Sequence, residues 1–186
     1  MQERIASITK ELTQVRDDSL ETFGGLTVEQ LNWKSAEKSW SVAQCFDHLI
    51  TTHSLYFPVF EKLAAGDVKP TFWERVSPLS GFFGRFLIKN LDPANLKPMK
   101  TTSKAYPSSS TIDGDIVERF VEHQQKIIEA LKQLPGSIDP GRTILTSPLM
   151  GLVTYSLDDT FTILVHHCRR HLGQAKRVTE TAGFPR

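Results

Sequence analysis

Four long stretches of this 186-residue sequence repeat their apolar residues at three- and four-residue steps, and almost nothing alternates them in twos. That spacing draws one apolar stripe along a helix and denies a sheet the period-two face it needs. The first stretch runs from about residue 2 to residue 22, with Ile5, Ile8, Leu12, Val15 and Leu20 on one side. Gly24 and Gly25 stop it, and Thr27 is placed to cap a short turn through Leu31. The second starts at Ser39 or Ser41 and runs to about Ala65 through Val42, Phe46, Leu49, His53, Tyr56, Phe60 and Leu63. Pro58 inside it predicts a kink or a break near Phe57. The third covers Ile112 to Leu134, with Ile116, Phe120, His123, Ile127 and Leu131 inward and Thr111 or Asp113 as its cap. The fourth covers Leu157 to Thr181, with Phe161, Leu164, Val165, Cys168, Leu172 and Ala175 on its stripe. Residues 67 to 110 form a long irregular excursion after the second helix, rich in proline and aromatics, with one short amphipathic helix from Leu79 to Leu91. Four stripes of this kind bury one another, so the expectation is a single all-α domain over residues 1–186, a four-helix bundle.

Lysine and arginine number 22 against 21 acidic residues, so no basic surplus draws the chain to nucleic acid. No run of about eighteen apolar residues predicts a membrane span. The opening MQERIASITKEL lacks the apolar stretch of a secretory leader. Two cysteines, Cys45 and Cys168, make no disulfide framework, and a reducing cytoplasm is the expected setting.

Against this background three histidines stand out. His167 and His171 are four residues apart in one helix, which puts both imidazoles on one face a turn apart. A helix advances about 100° per residue, which places His48 roughly 120° from the stripe at Val42. On the same count His167 and His171 lie roughly 120° and 80° from Phe161. Such flanks border the grooves between helices, where pockets form. Three imidazoles from two helices have the make-up of an open metal site. Spacing alone leaves the plainer reading open, that of packed or solvated histidines. His166 projects about 100° away from His167 and cannot share a metal with His171. His53 and His123 lie in their stripes and read as core or pocket histidines, or as outer partners of a site. Cys45 and Cys168 read as small buried residues, with a thiolate ligand or nucleophile as the alternative.

Two segments resemble the DinB-like family of metal-binding helical bundles. Trp40 to Ile50 resembles its first histidine motif, W-S-x-x-x-x-x-x-H-L. Pro148 to Val178 resembles its C-terminal segment, centred on H-x-x-x-H-x-x-Q at His167, His171 and Gln174. The resemblance implies an up-down-down-up bundle, often a homodimer, with His48, His167 and His171 holding a divalent ion, nickel or zinc in relatives. It implies a small-molecule substrate. Some relatives are transferases or isomerases that use a low-molecular-weight thiol such as bacillithiol, mycothiol or glutathione, and others are classed as hydrolases. This chain has Ser147 where some relatives carry a histidine before the proline, which weakens the transfer of any one substrate.

Three neutral imidazoles leave a divalent ion its full charge, which lowers the pKa of a bound water or thiol. Asp47 and Asp158 are candidate bases or imidazole partners, and Gln44 and Gln174 lie one turn from the histidines. Phe72, Trp73, Phe82, Phe83 and Tyr106 are candidates for a pocket wall or for closing one end of the bundle. The segment around Phe82, Phe83 and Arg85 reads as packing on the bundle or a dimer mate, with membrane docking the lesser alternative. A non-catalytic metal- or ligand-binding module, stress-related in some cases, is the rival to an enzyme.

Overall fold

The computed structural model describes residues 1–67, 69–97, 101, 105–108 and 111–186. Helices dominate: α1 (Gln2–Phe23), α2 (Val28–Asn32), α3 (Val42–Ser54), α4 (Phe57–Ala64), α5 (Phe72–Val76), α6 (Ser80–Leu91), α7 (Ile116–Lys132) and α8 (Leu157–Thr179). The chain therefore belongs to the all-α class. Helices α1 and α3 each pack against both α7 and α8. Among the described residues no helix is long and apolar enough to cross a membrane.

Local chemistry sets the helix that carries the first histidine. Ser41 caps α3: its hydroxyl accepts the Gln44 N–H at 3.1 Å, and Gln44 Oε1 accepts the Ser41 N–H at 3.3 Å. This reciprocal box fixes where α3 starts and so how its faces are turned. The expected second helix is broken between α3 and α4 at Leu55 and Tyr56. Pro58 falls in the first turn of α4, where its missing N–H leaves no helical bond unmade. Helix α7 begins at Ile116 after Asp115, so neither Thr111 nor Asp113 caps it. Asn32 clamps this entry instead, accepting the Ile112 N–H and donating to its carbonyl, each at 2.8 Å.

A short hairpin, β1 (Ile144–Thr146) and β2 (Thr154–Ser156), precedes α8 and was not expected. Strands this short carry too few residues to show alternation. Buried Tyr155 of β2 meets Tyr56 hydroxyl to hydroxyl at 2.6 Å, which ties the hairpin to the α3–α4 break. Helix α6 lies on α8 and β2. Gly84 permits that approach, since a Cβ there would stand 2.2 Å from Asp159 Oδ2. Asp159 is itself engaged in the capping box of Ser156 that starts α8.

Most of the excursion's aromatics do not close the bundle. Phe72, Phe82 and Tyr106 are 78%, 55% and 60% exposed. Leu87 and Ile88 of α6 make the inward contacts instead, with Tyr155 and Ile163. Residues 68, 98–100, 102–104, 109 and 110, all in the excursion, lie outside the described residues.

The core where α3 meets α1 and α7 is tightly aromatic. Fully buried Phe46 packs at 5.3 Å from Phe23 and 5.0 Å from Phe120, ring centre to ring centre. Truncation of a large buried aromatic costs about 3–5 kcal/mol, and loss of a serine cap about 1 kcal/mol. Urea denaturation of Phe46→Ala and Ser41→Ala should return losses in that order and of those sizes.

Candidate metal centre

Helices α3 and α8 face each other across the core, and their contact carries the three histidines to one place. One ring nitrogen from each of His48, His167 and His171 lies within 4.8 Å of the others. The ring centres are 4.6 to 5.0 Å apart, close enough for a single ion to touch all three. His48 and His171 are only 5% and 9% exposed, deeper than flanking positions predicted. Trp40 explains the difference: it stacks on His171 at 5.7 Å and 17° and leans on His48 at 4.9 Å. The excursion adds a second cover, because the Ala105 carbonyl approaches His48 Nδ1 to 2.5 Å.

That carbonyl fixes the chemistry of His48. A carbonyl only accepts, so His48 carries its proton on Nδ1 and presents the Nε2 lone pair inward. His167 Nε2 faces this lone pair at 3.0 Å. Without metal, one proton on His167 Nε2 completes a hydrogen bond; His48 Nε2 and His167 Nε2 would both be free to hold an ion if that proton left Nε2. Among the described residues His171 Nδ1 is buried with no hydrogen-bond partner, a position that an added cation would satisfy. A hydrogen bond from the Gln174 side chain favours a proton on His171, but among the described residues none reaches Nδ1. The donor set, a fixed lone pair and an orphaned buried nitrogen all fit a divalent ion.

Burial keeps these rings neutral. Desolvation pushes His171 down to about 3, with repulsion from His48 and Arg170 adding to it. His167 is held well below the ordinary histidine range, first by burial and then by His171, His53 and His48. His48 is lowered by burial as well, though the Ala105 carbonyl and Asp47 oppose the shift. Neutral imidazole is the form that binds a metal.

The remaining candidates have other duties. Asp47 Oδ2 accepts the Ser108 N–H at 2.6 Å and anchors the end of the excursion. Asp158 pairs with Arg4 at 2.6 Å, on the α1 side of α8. Neither carboxylate is a base for the site. Gln44 is part of the α3 cap. His166 points to the Ile88 carbonyl at 3.4 Å, away from the cluster, as its angle predicted. Cys45 is buried and its thiol is pushed up to about 12, and burial drives Cys168 up as well, so neither is a thiolate nucleophile. Arg170 holds the excursion by donating to the carbonyls of Asn95 and Lys97.

Trp40 belongs to the W-S motif, but nothing in the sequence marks it as a wall on two imidazoles. His53 lies against the cluster, in line with the outer-partner reading of its place in the stripe: its Nε2 lies 3.1 Å from His167 Nδ1, and its Nδ1 lies 3.9 Å from Cys168 Sγ. A histidine and a cysteine in the stripes of adjacent helices were the available signal, since buried polar groups require partners. Two surface grooves, of about 310 and 400 Å3, lie elsewhere: one runs past Pro135 and Arg142, the other past Phe23 and Arg169.

The neutral histidines also set the acid limit of the fold. Burial pushes His123 down to about 4 and His171 to about 3, from an ordinary 6.5. Between those values the unfolded chain binds more protons than the native one, so stability rises with pH through this window. It is complete above 6.5 and is lost as pH falls. With a chelator present, the urea midpoint should drop from about pH 7.5 to about pH 5, and His123→Leu should remove part of that slope. A midpoint indifferent to pH would contradict neutral burial.

No curated protein and no solved structure shows a significant match to this chain. The family model described as the DinB superfamily matches residues 11–175, a span that contains all three clustered histidines, all of α3 and all but the last turn of α8. The chain therefore belongs to the DinB superfamily.

Proposed function

We propose that this protein is a metal-dependent enzyme that transfers a low-molecular-weight thiol of the bacillithiol, mycothiol or glutathione type to a small electrophile. The observation that carries the reading is the convergence of His48, His167 and His171 nitrogens within 4.8 Å. A divalent ion, nickel or zinc, bound there supplies the charge that converts a bound thiol to thiolate near neutral pH. The protein's own residues provide position and dryness. Ala105 and Trp40 hold His48, and Trp40 shields the faces of two rings from water. Asp47 and Asp158 are engaged with Ser108 and Arg4, so no carboxylate the sequence offered stands ready as a base. A thiol made acidic by its own contact with the ion would need no such base. The proposal includes the up-down-down-up arrangement of a four-helix bundle, a homodimer and a cytoplasmic setting.

The test is turnover. Zinc- or nickel-loaded protein should consume thiol when offered a panel of small thiols with alkylating or epoxide electrophiles. His171→Ala should lose at least ~100-fold of that activity while keeping its helical content and cooperative unfolding. No turnover with any thiol–electrophile pair, alongside tight metal binding, would favour a non-catalytic binding module instead.

A further inference from the structure

Behind the three clustered imidazoles lies a line of buried polar contacts that the proposed reaction does not use. His167 Nδ1 meets His53 Nε2 at 3.1 Å. His53 Nδ1 meets Cys168 Sγ at 3.9 Å, and Cys168 Sγ meets Gln124 Oε1 at 3.9 Å. His53, Cys168 and Gln124 are each 1% exposed or less, so none can turn to water for a partner. The line starts at a fixed point, since the Ala105 carbonyl keeps the His48 proton on Nδ1.

From that point the protons have two self-consistent arrangements. In the first, His167 Nε2–H donates to His48 Nε2, His53 Nε2–H donates to His167 Nδ1, and the Cys168 thiol donates to His53 Nδ1. In the second, His167 Nε2 is free to bind an ion. His167 Nδ1–H then donates to His53 Nε2, His53 Nδ1–H donates to sulfur, and the thiol donates to Gln124 Oε1. Both arrangements carry one proton on each ring and one on sulfur, so neither differs in charge. Imidazole and thiol are the side chains that permit this, because each is both donor and acceptor. A carboxylate at 53 would bring a buried charge, and an apolar residue would leave His167 Nδ1 unpaired.

We propose that His53 is the positioning residue of the metal centre: it accepts the Nδ1–H of His167 and so aims His167 Nε2 at the ion, with Cys168 completing its own hydrogen bonds in either arrangement. This rests on the reading of His48, His167 and His171 as ligands. Outer partners of a ligating histidine fix its tautomer, and their loss costs 10- to 100-fold in metal affinity.

Two variants separate the hydrogen bond from mere bulk. His53→Gln keeps a donor and an acceptor near the Nε2 position, while His53→Phe fills the space and offers neither. Zinc titration of each full-length protein against a competing chelator should show His53→Phe weakened 10- to 100-fold and His53→Gln close to wild type. Long-range proton–nitrogen NMR of the wild type reads the tautomers directly. On zinc addition His53 should pass from protonated Nε2 to protonated Nδ1, and His167 should carry its proton on Nδ1. Zinc bound equally well by wild type and His53→Phe, or His53 still protonated on Nε2 in the zinc form, would overturn this assignment alone. Wild-type protein that takes up no zinc would overturn both the assignment and the metal reading beneath it.

Discussion

The approach of His48 Nε2 to His167 Nε2 at 3.0 Å is the contact on which the rest of the site depends. It joins α3 to α8 where both helices present polar rings to each other. Every surrounding contact serves to hold it. Ala105 pins the outer nitrogen of His48, His53 backs His167, and Trp40 lies across His171. Three inward nitrogens of this kind could share one metal ion, and that is the reading the cluster supports.

Burying four imidazoles among apolar helices carries a cost, because each must stay neutral and find partners. The surrounding core offsets it. Phe46, Phe120, Leu49 and Ala175 form a fully buried cluster beside the site, and Cys168 belongs to the same cluster. The rigid apolar wall thus does two jobs: it holds the helices together and lowers the proton affinity of the rings. A solvated version of the same histidines would be charged in mild acid and would compete less well for an ion.

Much of this was legible in the sequence. The four stripes gave the long helices within a few residues, because each stripe recurs over many turns. The pair His167 and His171 was readable from its spacing, and His48 from its motif. What escaped has physical causes. The strands at Ile144 and Thr154 are three residues long and carry no period. Trp40 precedes its helix, so no helical angle places it over His171. The Ala105 carbonyl is backbone in an irregular segment, and a sequence says nothing of where such an oxygen points. His53 was assigned correctly to the interior, but its partner came from another helix's rotation. The excursion's aromatics were expected inward, whereas Phe72 and Phe82 are more than half exposed. Composition alone does not distinguish an aromatic that packs from one that does not.

The central claim is that His48, His167 and His171 share one divalent ion. The most direct measurement is the metal content of untagged protein after reconstitution and desalting, beside His48→Ala and His167→Ala. About one ion per chain in the wild type, and none in either variant, is the result this account predicts. Metal retained by both variants, or absent from the wild type, would contradict it and return the three histidines to the packing of a helical core.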